Sequence, residues 1–200
     1  MTGRRPGLTR RGLFAAARQT LGPLMLASLL ASCASPSPAR YTLEAPPGPV
    51  RRAGPRVIEL RAIALARYLE RSQIVRSSEN FRVDVLPNDW WAEPLDAMIG
   101  RVLARALTQR LPGSTIYLEN SAISAEPDVT LQVNIQRLDR GSDGMVHLIA
   151  QYAAVRRTSE THAVTIDVPT RGPATADLVA AMSEAIGQLA DRIAASVAAG

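Results

Sequence analysis

Apolar and polar residues alternate with a period of two over several windows, the pattern of strands with one buried face. Ile58, Leu60 and Ala62 point one way and Glu59 and Arg61 the other, which predicts a strand over 57–63. The stretch 73–76 reads as a short strand, and Tyr41-Thr-Leu43 as a short edge strand. Phe81, Val83 and Val85 alternate with Arg82 and Asp84, predicting a strand that turns those three apolar side chains inward. The clearest case is 129–135, with Val129, Leu131, Val133 and Ile135 on one face. A second long strand over 145–155 follows a loop, 139–144, rich in hairpin-turn residues. Val164, Ile166 and Val168 add a third strand to this meander, ended by Pro169, and 115–118 supplies a shorter one.

Two windows change to the helical period. From Pro94, which suits a first helical position, Leu95, Ile99, Val102 and Ala106 share a narrow arc opposite Arg101, Arg105 and Thr108, up to the stop at Leu111-Pro112-Gly113. Over 175–198, Leu178, Met182, Ile186, Leu189, Ile193 and Val197 recur at three- and four-residue steps, with Glu184, Gln188 and Asp191 on the other side. The expected fold is α+β: a mixed, mainly antiparallel sheet with two amphipathic helices packed on it.

The N-terminus has a different design. Residues 1–18 are cationic, 21–30 are apolar, and Ala31-Ser32 precede Cys33, the only cysteine. This is the layout of a secretory signal peptide, and its uncharged stretch is shorter than the ~20 residues a spanning helix requires. Leu30-Ala31-Ser32-Cys33 resembles the lipobox of bacterial lipoproteins, in which the cysteine is acylated and becomes the first residue. Ala34 in place of Asp resembles lipoproteins sorted to the outer membrane. Thr9-Arg10-Arg11-Gly12-Leu13-Phe14 is similar to a twin-arginine export motif with its last two positions reversed, so export by either the Sec or the twin-arginine route is expected. The stretch 34–55 holds six prolines in 22 residues and reads as an extended spacer. The expected organisation is a signal peptide over 1–32, a lipidated cysteine and linker over 33–55, and a single domain over 56–200.

Charge sharpens this division. The chain of 200 residues carries 23 basic residues, all arginine, and 18 acidic ones. Five arginines precede Cys33 and no acid does, so the mature protein has 18 of each sign and no net charge. A neutral body gives no reason to expect a nucleic-acid partner, which calls for basic surface.

Catalytic or metal chemistry is not legible. His147 and His162 have no second His or Cys at ligand spacing, and no nucleophile elbow, Walker or dinucleotide-binding run occurs. Glu93 and Asp96 are explained by the preference for negative charge at a helix start. No cofactor and no enzymatic activity are expected. Two segments carry hot-spot residue types instead. The first, 67–76, mixes arginines with Tyr68, Leu69, Gln73, Ile74 and Val75, Arg71 at its centre; the second, 89–94, read as a loop entering the first helix, holds Trp90, Trp91 and Glu93. One tryptophan is expected to plug the core and the other to mark a contact surface.

These segments resemble the ABC-type transport auxiliary lipoproteins, the PqiC-like membrane-integrity transporter subunits. The motifs are Cys33, Tyr41-Thr-Leu43, Tyr68-Leu-Glu-Arg-Ser-Gln-Ile-Val75 and Trp91-Ala-Glu-Pro-Leu95, with Glu70 and Ser72 standing where the family has Asp and Pro. The resemblance implies a non-catalytic accessory on the periplasmic face of the outer membrane. It would form a homo-oligomer and work with an MCE-domain protein of an ABC-powered lipid transporter. It makes Tyr68, Leu69, Arg71, Gln73, Ile74, Trp90, Trp91 and Glu93 candidate partner contacts. Two other readings stay open: a carrier that shields lipid in an apolar cavity of ~300–1,000 Å³, and a structural envelope lipoprotein without a transport role.

Overall fold

The computed structural model describes residues 2–3, 37–51, 54–122 and 125–199. The signal peptide, the twin-arginine motif, the lipobox and Cys33 lie outside the described residues. The strands are β1 (Ala39–Tyr41), β2 (Val57–Leu60), β3 (Ala64–Leu65), β4 (Gln73–Ser77), β5 (Asp84–Trp91), β6 (Thr115–Leu118), β7 (Val129–Arg140), β8 (Met145–Val155) and β9 (Ser159–Pro169). The helices are α1 (Leu95–Arg110) and α2 (Thr175–Ala199), and Arg67–Leu69 forms a 3-10 turn. The fold is α+β, as expected.

The strands make two sheets. In the larger, the order is β6-β2-β7-β8-β9, with β3 beside β7. β2 runs parallel to both β6 and β7, and β7, β8 and β9 form a long antiparallel meander. In the smaller sheet, β5 lies between β1, which is parallel to it, and β4, which is antiparallel.

The helices cover one face of the large sheet. On that side Leu148, Ala150 and Tyr152 of β8 meet α2, whose Leu178, Met182, Ile186, Leu189, Ile193 and Val197 are all buried. The Tyr152 hydroxyl donates to the Arg192 carbonyl oxygen, and its ring stacks on His162 at 4.9 Å. α1 contributes Leu95, Met98, Ile99, Val102, Leu103, Ala106 and Leu107 to the same core. Sparse aromatics leave Leu, Ile, Val and Ala to fill the volume, and each fully buried side chain of the larger kinds contributes roughly 1.5–3 kcal/mol.

Three expectations are corrected. First, the proline-rich stretch does not stand off as a spacer: the compact body begins by Pro38, not residue 56. Residues 38–51 lie as a strap across α1 and α2. Leu43 is buried and its N–H donates to Met98 Sδ; the Glu44 N–H donates to Ser183 Oγ. Gly48 exchanges two bonds with the Gln109 amide, and the Arg51 N–H donates to the Arg110 carbonyl oxygen at 2.6 Å. Fixed proline φ values favour an extended path, and such a path can pack as well as project. Close approach explains the glycines: a Cβ on Gly187 would strike Pro46, and one on Gly48 would strike the Arg110 guanidinium.

Second, Phe81 does not face inward. Asn80 and Phe81 take positive φ (52° and 62°), making a tight turn closed by the Arg82 N–H to the Glu79 carbonyl oxygen. Phe81 is fully exposed, and Val83 remains 43% exposed. Third, the tryptophans end a strand and do not sit in a loop. β5 runs on through Pro87, because the β4–β5 ladder shifts register between Val75 and Gln73 and leaves that stretch unpaired.

Candidate functional site

The 3-10 turn, the end of β5 and the start of α1 enclose an open groove of about 730 Å³. Ile63, Leu65, Trp91 and Leu95 form its apolar wall, and Arg40, Arg71 and Trp90 line its rim with Glu70, Glu93 and Asp96. Backbone bonds join its parts. The Trp91 N–H donates to the Ser72 carbonyl oxygen at 2.7 Å, and the Ala92 N–H to that of Tyr41 at 2.9 Å. β1, β5 and the loop after the 3-10 turn therefore form one surface, although they are distant in sequence.

The eight candidate contact residues separate by depth. Leu69, Ile74 and Trp91 are buried at 2%, 0% and 4% exposure and shape the surface from beneath. Arg71 is exposed, while Tyr68, Gln73, Trp90 and Glu93 are half-buried. Trp90 is steadied by its indole N–H, which donates to the Pro87 carbonyl oxygen at 3.0 Å. Glu93 pairs with Arg101, whose guanidinium also reaches Thr42 Oγ1. Arg40 and Arg71 form no ion pair among the described residues, so the groove presents two uncommitted guanidinium groups beside an indole. Arg40 escaped sequence reading: it sits inside the proline-rich stretch, and only the pairing of Arg40 with Trp90 across β1 and β5 brings it here.

Tyr68 turns its hydroxyl inward. It donates to Asp139 Oδ2 at 2.8 Å, as the Ser78 hydroxyl does at 2.5 Å, and Arg137 Nε donates to Asp139 Oδ1 at 2.9 Å. Asp139 is fully buried, on the face of β7 opposite its neighbour Leu138. Burial, and then the Asp139 carboxylate, push the Tyr68 hydroxyl up to about 12, against the opposing Ser78 bond. Tyr68 is therefore a hydrogen-bond donor at any physiological pH. Glu79 extends the network: the Ser142 N–H, then Arg137, hold its carboxyl below the usual carboxylate range. These bonds fix the 3-10 turn and β4 on the large sheet.

His147 lies nearby with Asp167 Oδ1 at 2.7 Å and Asp143 Oδ1 at 3.2 Å. Partial burial lowers its pKa, but the bonds to Asp167 and Asp143 outweigh that and raise it above the ordinary value. Among the described residues no group of three His, Cys, Asp or Glu side chains is arranged to hold a metal. No helix among them is long and apolar enough to cross a membrane.

The model of a family described as ABC-type transport auxiliary lipoprotein component matches residues 41–194, from β1 through most of α2. The chain belongs to this family. The match takes in most of the strap, the groove apart from Arg40, and the Asp139 network. Two solved structures share the family fold. A crystal structure of an uncharacterized protein, 18% identical, aligns over 81% of this chain and 99% of its own with a TM-score of 0.69. A Xanthomonas campestris protein of the DUF330 family, 14% identical, aligns over 78% of this chain and 92% of its own with a TM-score of 0.62. No curated protein matches the sequence.

Proposed function

We propose that this family member is a non-catalytic accessory lipoprotein of an MCE/ABC-type lipid transport system. In this reading Cys33 carries the acyl anchor at the periplasmic face of the outer membrane, and the body docks an MCE-domain protein, acting as a homo-oligomer. The single observation that supports it is the groove itself. Arg40, Arg71 and Trp90 converge on a surface backed by buried Leu69, Ile74 and Trp91, in a chain whose family is a transport auxiliary component. An indole beside uncommitted guanidinium groups is the composition of a protein-binding hot spot. A carrier that shields acyl chains itself is less favoured, because five charged side chains line the same groove.

The experiment is capture of the MCE-domain protein by the membrane-extracted lipoprotein. Arg71→Glu combined with Trp90→Ala should reduce capture at least tenfold, while Thr165→Glu on the exposed side of β9 should leave it unchanged. Equal capture by the groove variant would remove this surface from the interface.

A further inference from the structure

The β4–β5 hairpin ends in a turn that internal packing does not explain. Its central residues, Asn80 and Phe81, both occupy the left-handed region. Asn tolerates that region; a bulky aromatic seldom does, and glycine is the usual occupant of the second position. Phe81 is fully exposed, so no packing offsets the strain, and Val83 is exposed two residues on, with exposed Arg82 between them. The base of the hairpin is firm. The Ser78 hydroxyl donates to buried Asp139, Glu79 accepts from the Ser142 N–H at 2.8 Å, and Arg76 pairs with Asp84. A rigid stalk thus presents a strained turn bearing an aromatic, an arginine and a valine to the outside.

The direction of β1 identifies what lies there. β1 runs parallel to β5, with Ala39 opposite Asp89. The N-terminal end of β1 therefore points toward the Asp84 end of β5, the end that carries the turn. Cys33 lies six positions before Ala39, and Val83 six positions before Asp89. Six residues span at most about 20 Å. An anchor at Cys33 is thereby limited to a reach of about 20 Å from Ala39, comparable to the length of β5 between Asp89 and the turn.

We infer that the turn at Asn80–Val83 is a second, non-covalent membrane contact: Phe81 and Val83 enter the interfacial layer of the bilayer that holds the Cys33 anchor, and Arg82 lies among the lipid headgroups. Aromatic side chains favour that layer, and arginine keeps its charge in the headgroups while its stem follows the apolar side chains. One acyl anchor leaves a body free to swivel. A contact displaced from it restricts the swivel and fixes which face of the body points away from the membrane. The inference rests on the reading that Cys33 is lipidated.

The test uses the full-length protein, purified from membranes and reconstituted into vesicles of phosphatidylethanolamine and phosphatidylglycerol. Cys33 is the only cysteine, so its acylation leaves Phe81→Cys as the sole free thiol for a nitroxide label, with Thr165→Cys as the comparison site. The label at 81 should be more accessible to oxygen than to a water-soluble nickel chelate, with the order reversed at 165. Equal nickel accessibility at the two positions, in protein whose unsubstituted form takes up no label, would overturn the membrane contact while leaving the anchor intact. Uptake of label by the unsubstituted protein would show a free Cys33 thiol and overturn both readings.

Discussion

The two faces of the large sheet are held by different physics. On the helix side, α1 and α2 close over β8 with aliphatic side chains that reach zero exposure at many positions. Such packing is non-directional and spread over many residues, and truncating one large side chain within it costs about 2–5 kcal/mol through the cavity left behind. The 3-10 turn and β4 bury Leu69, Ile74 and Val75 in the same core and add a few directional bonds that converge on Asp139, which points to the other face of β7. Here one carboxylate joins three segments, the 3-10 turn, the hairpin after β4 and β7, and its loss acts locally. The helix side also has directional fastenings, the most deeply buried at Arg110, which is 1% exposed and ties the strap to the helix pair. It donates to Asp191 at 2.5 Å and to the carbonyl oxygens of Pro46, Ala106 and Gly187. The candidate partner surface thus rests on buried Leu69, Ile74 and Trp91 and is fixed at its edge by polar joints.

Substitutions at these joints test the contrast. The largest effect is expected from Arg110→Met, which breaks a buried ion pair and removes the guanidinium bonds to three carbonyl oxygens. A loss of about 3 kcal/mol in denaturant unfolding is expected, at the low end for such pairs because Asp191 keeps about a third of its surface in water. Next is Asp139→Ala, which leaves buried donors unsatisfied and should cost about 1–3 kcal/mol. Its amide hydrogen exchange should quicken in 67–79 before α2 is affected. Uniform quickening would mean that the polar joint is not local. Phe81→Gly should act in the opposite direction, stabilising by about 1 kcal/mol as left-handed strain is relieved. A loss of stability would show that the Phe81 ring packs on the protein.

The smallest effect is expected from His147→Gln. The folded-state pKa of His147 is raised, so its contribution is complete below about 6.5, the unfolded value, and fades as pH rises through the folded one. The stability difference between His147→Gln and the unsubstituted protein should therefore be under about 1 kcal/mol at pH 5.5 and vanish by pH 9. A difference that persists at pH 9 would assign His147 a role other than its charge.

Periodicity made the apolar half of the molecule legible. The meander β7–β9 and both helices follow from residue spacing, because each has one face buried in a continuous core. Where the chain is governed by other terms, spacing misled. Phe81, Val83 and Val85 alternate like an inward-facing set, yet backbone conformation at Asn80 turns the first of them out. Proline content suggested a spacer over 34–55, whereas Leu43 was the residue that signalled packing. The tryptophan segment was recognisable by residue type, but its partners were not. Arg40 reaches Trp90 only through a parallel strand pair, and Tyr68 reaches Asp139 across 71 positions. Nothing local encodes either meeting.

The strap has a mechanical consequence. Traction from the N-terminal side does not peel the body open one contact at a time, because β1 lies alongside β5 and the strap alongside the helices, so their bonds are strained in shear and resist together. Pull exerted through the chain is thereby taken up first by the β1–β5 pair that lines the groove, and only then by the strap and the helix pair clasped by Arg110.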